Sequence, residues 1–359
     1  MMGVLMPLES PAQPPTTLAA LGLNGRLADE WAAAGRPRSV GRVARLDRGW
    51  CSVVRTPDDA MTGGGDRART FGQVAVGDWV VLDEAGENVE RVLKRRSALM
   101  RRASFEGAKA QAHVAAANID HVFLVHALTA PPNQRRLERE LVLVFESGAD
   151  PVVVLTKADV TADVPGAVAA VREVALAVPV HAVSARAGTG LDQLGSYTAD
   201  HHTVAVIGSS GVGKSTLVNA LVGRDRQRTG DVREGDNRGR HTTVASELVP
   251  LPGGGFLIDT PGLRAVSLWS SDDDTPHGLD RAFADVVALA ERCRFRNCAH
   301  ESEPGCAVRE AVTGGRLPIE RLLSWQRLSA ELDALEQESI EVDRAASRGR
   351  RKPRRSGRG

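Results

Sequence analysis

Residues 208–215 read GSSGVGKS, and their types and spacing suit them to hold the phosphates of a nucleotide. Gly208 and Gly213 permit a tight backbone path whose N–H groups surround phosphate oxygens, and the helix that follows directs its positive end at them. Lys214 reaches the terminal phosphates, and the hydroxyl of Ser215 is placed to bind Mg²⁺. A P-loop nucleotide triphosphatase is therefore predicted. The predicted contacts are Gly208, Ser209, Ser210, Gly211, Val212, Gly213, Lys214, Ser215 and Thr216.

A second motif, Asp259-Thr-Pro-Gly262, follows an apolar run. An aspartate at the end of a buried strand is placed to act on Mg²⁺ through water, and the N–H of Gly262 to sense the γ phosphate. Between the motifs, residues 224–243 are rich in Gly, Arg and Asp, which favours a switch segment that a threonine hydroxyl orders by binding Mg²⁺. Thr243 is the preferred ligand and Thr242 the rival, and a plain surface loop is the alternative.

Two short segments after predicted strands indicate which base is bound. They are Thr156-Lys-Ala-Asp159 and Ser184-Ala185. The carboxylate of Asp159 can accept hydrogen bonds from N1–H and the exocyclic amine of guanine, whereas adenine has an acceptor at N1. This favours GTP over ATP, although such a segment can also simply cap a helix. The predicted base contacts are Thr156, Lys157, Ala158, Asp159, Ser184 and Ala185.

The order of these motifs differs from that of an ordinary GTPase. The phosphate loop and switches usually come first, whereas here Asp159 and Ser184 precede Gly208. The chain is therefore predicted to be circularly permuted, which preserves the site because catalysis depends on spatial arrangement. The permutation also connects the second switch, after Gly262, directly to the C-terminal domain.

Three cysteines and a histidine lie close together near the C-terminus, with the spacing Cys293-x4-Cys298-x-His300-x5-Cys306. Three thiolates and one imidazole are enough for a closed tetrahedral zinc site with no position open for a substrate water. We therefore expect one structural Zn²⁺. The alternative is a set of buried free cysteines beside a surface histidine. Cys51 stands alone in a predicted strand and is expected to be a small core residue.

The elements that must position these residues show two patterns. Residues 40–93 form short alternating runs broken by glycine, which predicts a small β-barrel of the oligonucleotide-binding (OB) type. Apolar runs then alternate with helical segments such as Gln134–Glu146, which predicts an α/β domain with a parallel sheet covered on both faces. Those runs are 119–125, 152–155, 180–183, 204–207 and 256–258. The barrel arginines that could hold nucleic acid, or be merely scattered solvated charges, are Arg42, Arg45, Arg55, Arg67 and Arg69.

The chain has 359 residues, 42% of them apolar, and a formal net charge of +1. Its apolar runs fall well short of the roughly 20 residues that a membrane-spanning helix needs, so no membrane segment is expected. The first 36 residues lack the pattern of a secretory signal, and a cytoplasmic location is expected. Residues 344–359 hold eight Lys or Arg and no acid, which indicates a solubilising tail or one that binds phosphate backbones.

A permuted GTPase between a small barrel and a cysteine/histidine cluster resembles the ribosome small-subunit-dependent GTPase A family, also called RsgA or YjeQ. The motifs that carry the resemblance are the P-loop, the metal cluster, Gly77-Asp-Trp-Val80, Ala116-Ala-Asn-Ile-Asp120, Thr156-Lys-Ala-Asp159, Gly239-Arg-His-Thr-Thr243 and Asp259-Thr-Pro-Gly-Leu263. The resemblance implies a monomer that hydrolyses GTP when stimulated by the small ribosomal subunit and contacts its rRNA during late maturation. The expected organisation is a flexible N-terminal extension (1–37), an OB-fold barrel (38–100), a circularly permuted GTPase domain (101–270), a mostly helical zinc-binding domain (271–340) and a disordered basic tail (341–359).

Two positions depart from Ras-like GTPases. Thr156 stands where many GTPases carry asparagine, and its hydroxyl replaces only part of an amide's hydrogen bonding. Leu263 stands where Ras-like enzymes carry the glutamine that orients water, which leucine cannot do. His241 is similar to the histidine that the family offers for this catalytic task, and imidazole can position water near neutral pH. An ordinary solvated loop histidine is the alternative.

Overall fold

A computed structural model describes residues 14–102, 112–223, 246–259 and 278–350. By its contacts the chain divides into two compact units, Met1–Asn133 with Gly148–Val266, and Gln134–Ser147 with Ser267–Gly359. The predicted helix Gln134–Glu146 therefore groups with the C-terminal unit, although both of its ends continue into the first unit. Among the described residues, no helix is both long and apolar enough to cross a membrane.

The described residues form strands and helices, with strands dominating the first part of the chain and helices the last. In chain order the strands are β1 (Val40–Asp47), β2 (Trp50–Val54), β3 (Asp66–Arg69), β4 (Trp79–Leu82), β5 (Val89–Val92), β6 (Ala98–Arg102), β7 (Ala112–Ala117), β8 (His121–Ala127), β9 (Asp150–Thr156), β10 (Val180–Ala182), β11 (Thr203–Gly208), β12 (Glu247–Pro250) and β13 (Phe256–Asp259). The α-helices are α1 (Thr16–Ala19), α2 (Gly25–Ala33), α3 (Pro57–Thr62), α4 (Gln134–Glu146), α5 (Val164–Val174), α6 (Asp192–Gly195), α7 (Lys214–Val222), α8 (Gly278–Ala282), α9 (Ala284–Ala290), α10 (Ala307–Thr313) and α11 (Ile319–Arg350).

Parallel strands form the centre of the first unit, in the order β10–β9–β8–β11–β13. Each of these strands overlaps one of the predicted apolar runs, so the predicted parallel sheet is confirmed. Strand β12 adds to β13 in the antiparallel direction. The runs are apolar because their side chains are buried. Val152, Val154 and Val204, for example, lie in one core cluster with Leu217 of α7. The sheet therefore holds the ends of its strands on a rigid, close-packed support.

Strands β1 to β5 form the small barrel. β1 pairs with β2 and β4, β2 with β3, and β4 with β5, all antiparallel. An isolated bridge between Arg69 and Asn88 joins β3 to the residue before β5 and closes the ring. Cys51 lies in its apolar core beside Val53 and Ala68, as expected for a small core residue. The barrel predicted from the alternating pattern is therefore present, while its OB-type assignment stays a prediction.

The described part of the N-terminal segment, residues 14–37, is folded, so the prediction of a flexible extension is wrong there. Its helices α1 and α2 bury Leu18, Leu27 and Trp31, and the turn between them buries Leu21 and Leu23 completely. These apolar residues recur at steps of two to four and supply a buried face. Pro14 and Pro15 come before the first residue of α1 and do not interrupt it. Residues 1–13 lie outside the described residues.

Arg42 of β1 is buried, so it cannot bind nucleic acid from the barrel surface as the sequence suggested. Its guanidinium donates hydrogen bonds to Leu21 O (2.6 Å), Thr203 Oγ1 (2.7 Å) and Asn118 O (3.3 Å). Burial lowers the pKa of Arg42 to about 10. The side chain therefore ties the N-terminal segment, the barrel and the strand that leads to the P-loop into one structure.

The C-terminal unit is helical and contains a buried charge cluster. Arg321 of α11 donates to Glu138 of α4 at 3.0 Å, and the two side chains are 3% and 0% exposed. It also donates twice to Asp285 of α9, both times at 3.0 Å, and once to Ala282 O at 2.7 Å. Its guanidinium carbon lies 4.1 Å from the ring centre of Phe283. Arg321 of α11 therefore bonds to three other helices of this unit, α4, α8 and α9.

Helix α11 extends well beyond its buried residues. Leu322 and Leu328 are buried, and the helix then continues to Arg350. Residues 341–350 are thus helical, and the prediction of a disordered tail is wrong for them. The physical reason is local, because the run from Ile340 to Ser347 lacks Gly and Pro and includes good helix formers. Residues 351–359 lie outside the described residues.

Candidate nucleotide site and metal centre

The P-loop joins the end of β11 to the start of α7, which is the strand–loop–helix context that the motif requires. Gly208 lies against the neighbouring strand, where an added Cβ would come within 2.4 Å of Val125 O. Gly213, the N-cap of α7, has a φ of 95°, a conformation that residues with a Cβ rarely adopt. Glycine is therefore required at Gly208 by a close contact and at Gly213 by a positive φ. The N–H groups at the start of the helix remain available to bind an anion.

Lys214 lies over the P-loop. Its Nζ donates to Gly208 O at 2.8 Å and to Ser209 O at 2.5 Å. Ser215, the next residue of α7, is half-buried. The loop thus keeps an ammonium group at its centre, which is where the charge of bound phosphates has to be balanced.

The predicted base-recognition segment forms hydrogen bonds to the P-loop directly, which the sequence did not predict. Thr156, at the end of β9, places Oγ1 2.5 Å from Val212 O and 3.2 Å from His126 O. Lys157 donates from Nζ to Gly211 O at 2.8 Å. Many GTPases carry an asparagine amide at this position. The hydroxyl of Thr156 still forms a hydrogen bond to the P-loop. Nothing in the local pattern signals this contact, because the bonded residues are 56 and 54 positions apart in the chain.

Asp159 and Ser184 meet at the same edge of the sheet, after β9 and β10. Ser184 donates from Oγ to Asp159 Oδ1 at 2.6 Å, and it accepts a bond from Ala187 N at 3.1 Å. The hydrogen bond from Ser184 is the main reason that the pKa of Asp159 is lowered. The carboxylate is exposed and ionised, so it is free to accept bonds from a base that presents two N–H donors.

Asp259 is the last residue of β13 and is half-buried next to β11. This places it at the carboxyl edge of the sheet, beside the strand that carries the P-loop. The other predicted site residues of this region, Thr243, Gly262 and His241, lie outside the described residues. Their assignments stay predictions.

The four predicted metal ligands form one cluster. The ligand atoms of Cys293, Cys298, His300 and Cys306 all lie within 4.8 Å of one another. Cys293 Sγ is 3.7 Å from His300 Nδ1 and 3.9 Å from Cys306 Sγ, and His300 Nδ1 is 3.4 Å from Cys306 Sγ. Zinc bonds of about 2.0–2.3 Å to nitrogen and sulfur give tetrahedral edges of roughly 3.3–3.8 Å. The donor set therefore fits zinc, and the three distances among Cys293, His300 and Cys306 are close to these edges.

Further residues support this cluster. The ring of Trp325 lies 5.2 Å from that of His300, and Gln326 donates to His300 O at 3.2 Å. Glu303 accepts bonds from the backbone N–H groups of Ala299 (2.7 Å) and Glu301 (2.9 Å). Backbone N–H groups of the ligand loop lower the pKa of Glu303 to about 2. The ligand loop is thus fixed by its own hydrogen bonds as well as by α11.

The fold and the site define the class of protein. A phosphate loop, an aspartate-ended strand and a base-recognition segment at one edge of a parallel sheet are the parts of a P-loop GTPase, and their order along this chain is circularly permuted. Residues 92–269 match the model of the family described as RsgA GTPase. The chain belongs to the RsgA GTPase family, because it is also 42–43% identical over more than four-fifths of its length to relatives that carry that name.

Those relatives and two crystal structures cover most of the chain. "Small ribosomal subunit biogenesis GTPase RsgA" of Streptomyces coelicolor is 43% identical over 84% of each chain. "Small ribosomal subunit biogenesis GTPase RsgA 2" of Lactiplantibacillus plantarum is 42% identical over 82% of this chain and 83% of its own. YjeQ from Thermotoga maritima is similar in structure, with a TM-score of 0.58, 27% identity and coverage of 82% of this chain and 98% of its own. YloQ, described as a circularly permuted GTPase, has a TM-score of 0.57, 23% identity and coverage of 82% of this chain and 95% of its own, which shows the shared fold.

Proposed function

We propose that this protein hydrolyses GTP to GDP and phosphate and acts in the maturation of the small ribosomal subunit. The observation that carries the proposal is the direct bonding of Thr156 and Lys157 to the P-loop. It joins base recognition and phosphate binding in one rigid site. The names of the relatives, which describe GTPases of small ribosomal subunit biogenesis, support the same activity.

In this proposal the P-loop N–H groups and Lys214 bind the β and γ phosphates. The hydroxyls of Ser215 and Thr243 would hold Mg²⁺, with Asp259 acting through water, and the bound ion would offset the negative charge of the phosphates. His241 positions the attacking water, because Leu263 cannot, and the N–H of Gly262 senses the γ phosphate.

The choice of base is assigned to Asp159, held by Ser184 at 2.6 Å. Its test is Asp159→Asn, with affinities for GTP and xanthosine triphosphate measured by displacement of a fluorescent nucleotide. Xanthine presents an oxygen where guanine presents its amine, so an amide at 159 regains one of the two bonds with xanthine. We expect weaker GTP binding, roughly tenfold or more, and tighter binding of xanthosine triphosphate. If Asp159→Asn lowers the affinity for both nucleotides equally, Asp159 does not recognise the base.

The zinc assigned to Cys293, Cys298, His300 and Cys306 is structural. All four positions of a tetrahedral ion are then filled by protein ligands, so none is left for a reacting water. When bound, the ion crosslinks the loop before α10 to the start of that helix. Because Cys306 is the N-cap of α10, we propose that the metal fixes where this helix begins.

We further propose that the partner is the small ribosomal subunit itself, contacted through its rRNA by a monomeric protein in the cytoplasm. The GTP-bound form is the one that binds, since a cycle requires the two nucleotide states to differ in affinity. Co-sedimentation tests this, with large subunits as the control. We expect co-sedimentation with small subunits in a non-hydrolysable GTP analogue and a clear loss in GDP. Equal binding to both subunits would contradict the proposal.

A further inference from the structure

Three charged residues lie in one row across the strands that join the barrel to the nucleotide-binding sheet. Strand β12 lies between β1 of the barrel and β13, and its Glu247 is opposite Arg45 on one side and opposite Asp259 on the other. Both pairings are antiparallel, and the side chains of directly opposite residues lie on the same face of a sheet. Arg45, Glu247 and Asp259 therefore share one face, and we call them the Glu247 row.

Two neighbours in the Glu247 row have like charges. The Cβ atoms of directly opposite residues lie about 4.5–5.5 Å apart, and two acids in this arrangement destabilise a sheet. Arg45 compensates for one of them, because its Nη1 lies 3.3 Å from Glu247 Oε1, closer than the 3.7 Å between its Nη2 and Asp47 Oδ1. The side chain of Glu247 is only 31% exposed and Asp259 is half-buried, so solvent screens these charges incompletely.

Asp259 is the point at which the Glu247 row meets the proposed Mg²⁺ site. It is the last residue of β13 and lies beside β11, which carries the P-loop, while Ser215 is the second residue of α7. Carboxylate and hydroxyl oxygens are ligands that Mg²⁺ prefers, so these residues fit the ion. A charge on Glu247, one strand away from Asp259, therefore acts on the position that the ion would occupy.

We propose that Glu247 and Arg45 are positioning residues that set the affinity of the nucleotide site for Mg²⁺. The carboxylate of Glu247 adds negative potential at the site, and the guanidinium group of Arg45 offsets part of it. Because Arg45 belongs to the barrel, the barrel contributes directly to the affinity for the ion. The proposal rests on the proposed function, which assigns Mg²⁺ to Asp259, and deepens it by naming residues that tune this site.

Distance determines which of the two residues has the larger effect. Neighbouring strands lie about 4.8 Å apart, so Glu247 is one strand and Arg45 is two strands from Asp259. Salt screens charges over about 10 Å at 0.1 M, which is close to the separation of Arg45 from Asp259. At low salt we expect Glu247→Gln to weaken Mg²⁺ binding about three- to tenfold, and Arg45→Gln to strengthen it about two- to threefold.

The test measures Mg²⁺ affinity in the full-length protein without turnover. A fluorescent, non-hydrolysable GTP analogue is bound, Mg²⁺ is titrated, and the dissociation rate of the analogue gives the affinity for the ion. Arg45→Gln combined with Glu247→Gln removes both charges, so its affinity should lie between those of the single variants. Arg45→Lys keeps the charge and should leave the affinity unchanged. All differences should shrink at about 1 M salt, where charges are screened over about 3 Å.

Arg55→Gln is the matched control, because it breaks another ion pair of the barrel. Arg55 lies 3.0 Å from Asp66, and the two side chains are exposed to a similar degree as Arg45 and Glu247. This variant should bind Mg²⁺ like the unmodified protein. The proposal is overturned if Glu247→Gln and Arg45→Gln shift the affinity in the same direction, as the loss of a purely structural ion pair would do. It is also overturned if either variant binds Mg²⁺ normally, or if the differences persist at high salt.

The same titration separates this proposal from the proposed function. If Mg²⁺ does not strengthen binding of the analogue to the unmodified protein, both are wrong. If it does, but the two single variants shift together, only the role of the Glu247 row is wrong. If the variants shift in opposite directions while small subunits leave GTP turnover unchanged, the Glu247 row is right and the role in subunit maturation is wrong.

Discussion

Arg321 allows a sharp test of what holds the C-terminal unit together. The change is Arg321→Met, which keeps an unbranched apolar side chain like the stem of arginine and removes the charged guanidinium group. It deletes hydrogen bonds to Glu138, Asp285 and Ala282 and leaves the carboxylate of Glu138 buried, with 0% of its side chain exposed. Removing one partner of a buried ion pair costs about 3–5 kcal/mol, because the remaining charge is uncompensated. Whole domains are stable by only about 5–15 kcal/mol, so the loss is large.

Hydrogen exchange followed by mass spectrometry measures this loss locally in the full-length protein. Peptides from α4 and α11 should exchange faster by about two to three and a half orders of magnitude, since each 1.4 kcal/mol is a factor of ten. Arg139→Met is the control, because Arg139 forms an ion pair with Glu331 in the same unit, but the two side chains are 41% and 36% exposed. Such exposed pairs contribute at most about 1 kcal/mol.

A second variant separates charge from packing. Arg321→Met combined with Glu138→Leu removes the buried carboxylate as well, and it should recover much of the lost protection, because an apolar pair can replace a buried ion pair at little cost. Equal protection in Arg321→Met and Arg139→Met would refute the reasoning. So would a double variant that is no better protected than Arg321→Met.

The remaining predictions concern the nucleotide site and the metal. Thr156→Ala removes the hydroxyl that lies 2.5 Å from Val212 O, and we expect GTP affinity to fall by about 1 kcal/mol or more in fluorescent-nucleotide titrations, with Thr156→Ser close to normal. Ser184→Ala removes the bond that keeps the pKa of Asp159 low, so GTP affinity should begin to fall at a higher pH as the solution is acidified; an unchanged pH profile would contradict this. Cys306→Ser should lower zinc content, measured by metal analysis, and change the tryptophan fluorescence, since Trp325 lies against a predicted ligand; a normal zinc content would remove Cys306 from the ligand set.

Local patterns predicted the parts of the site that depend on neighbours in the chain. The spacing of the glycines was enough to predict the P-loop. The apolar runs before Thr156 and Asp259 were enough to predict that strands end there. The cysteine/histidine spacing likewise predicted a cluster that the structure assembles. Each of these features needs only a few consecutive residues to be recognised.

Features that depend on distant residues were missed. Arg42 lies in the same alternating stretch of sequence as Arg45, which is exposed. Only the structure, through the bonds of Arg42 to Leu21 and Thr203, shows that Arg42 is buried. Helix α4 was correctly predicted as a helix, but its grouping with the C-terminal unit depends on contacts such as that with Arg321. In both cases a charged side chain is buried because a partner far along the chain satisfies it, which sequence spacing does not reveal.

GTP turnover with and without isolated small ribosomal subunits tests the central claim most directly. Phosphate release is followed at saturating GTP for the unmodified protein and for Lys214→Ala, which lacks the ammonium group bonded to Gly208 O and Ser209 O. We predict slow turnover of the protein alone, a rise of at least about tenfold with small subunits, and no rise with large subunits or with Lys214→Ala. Turnover at the same rate with and without small subunits would contradict the account.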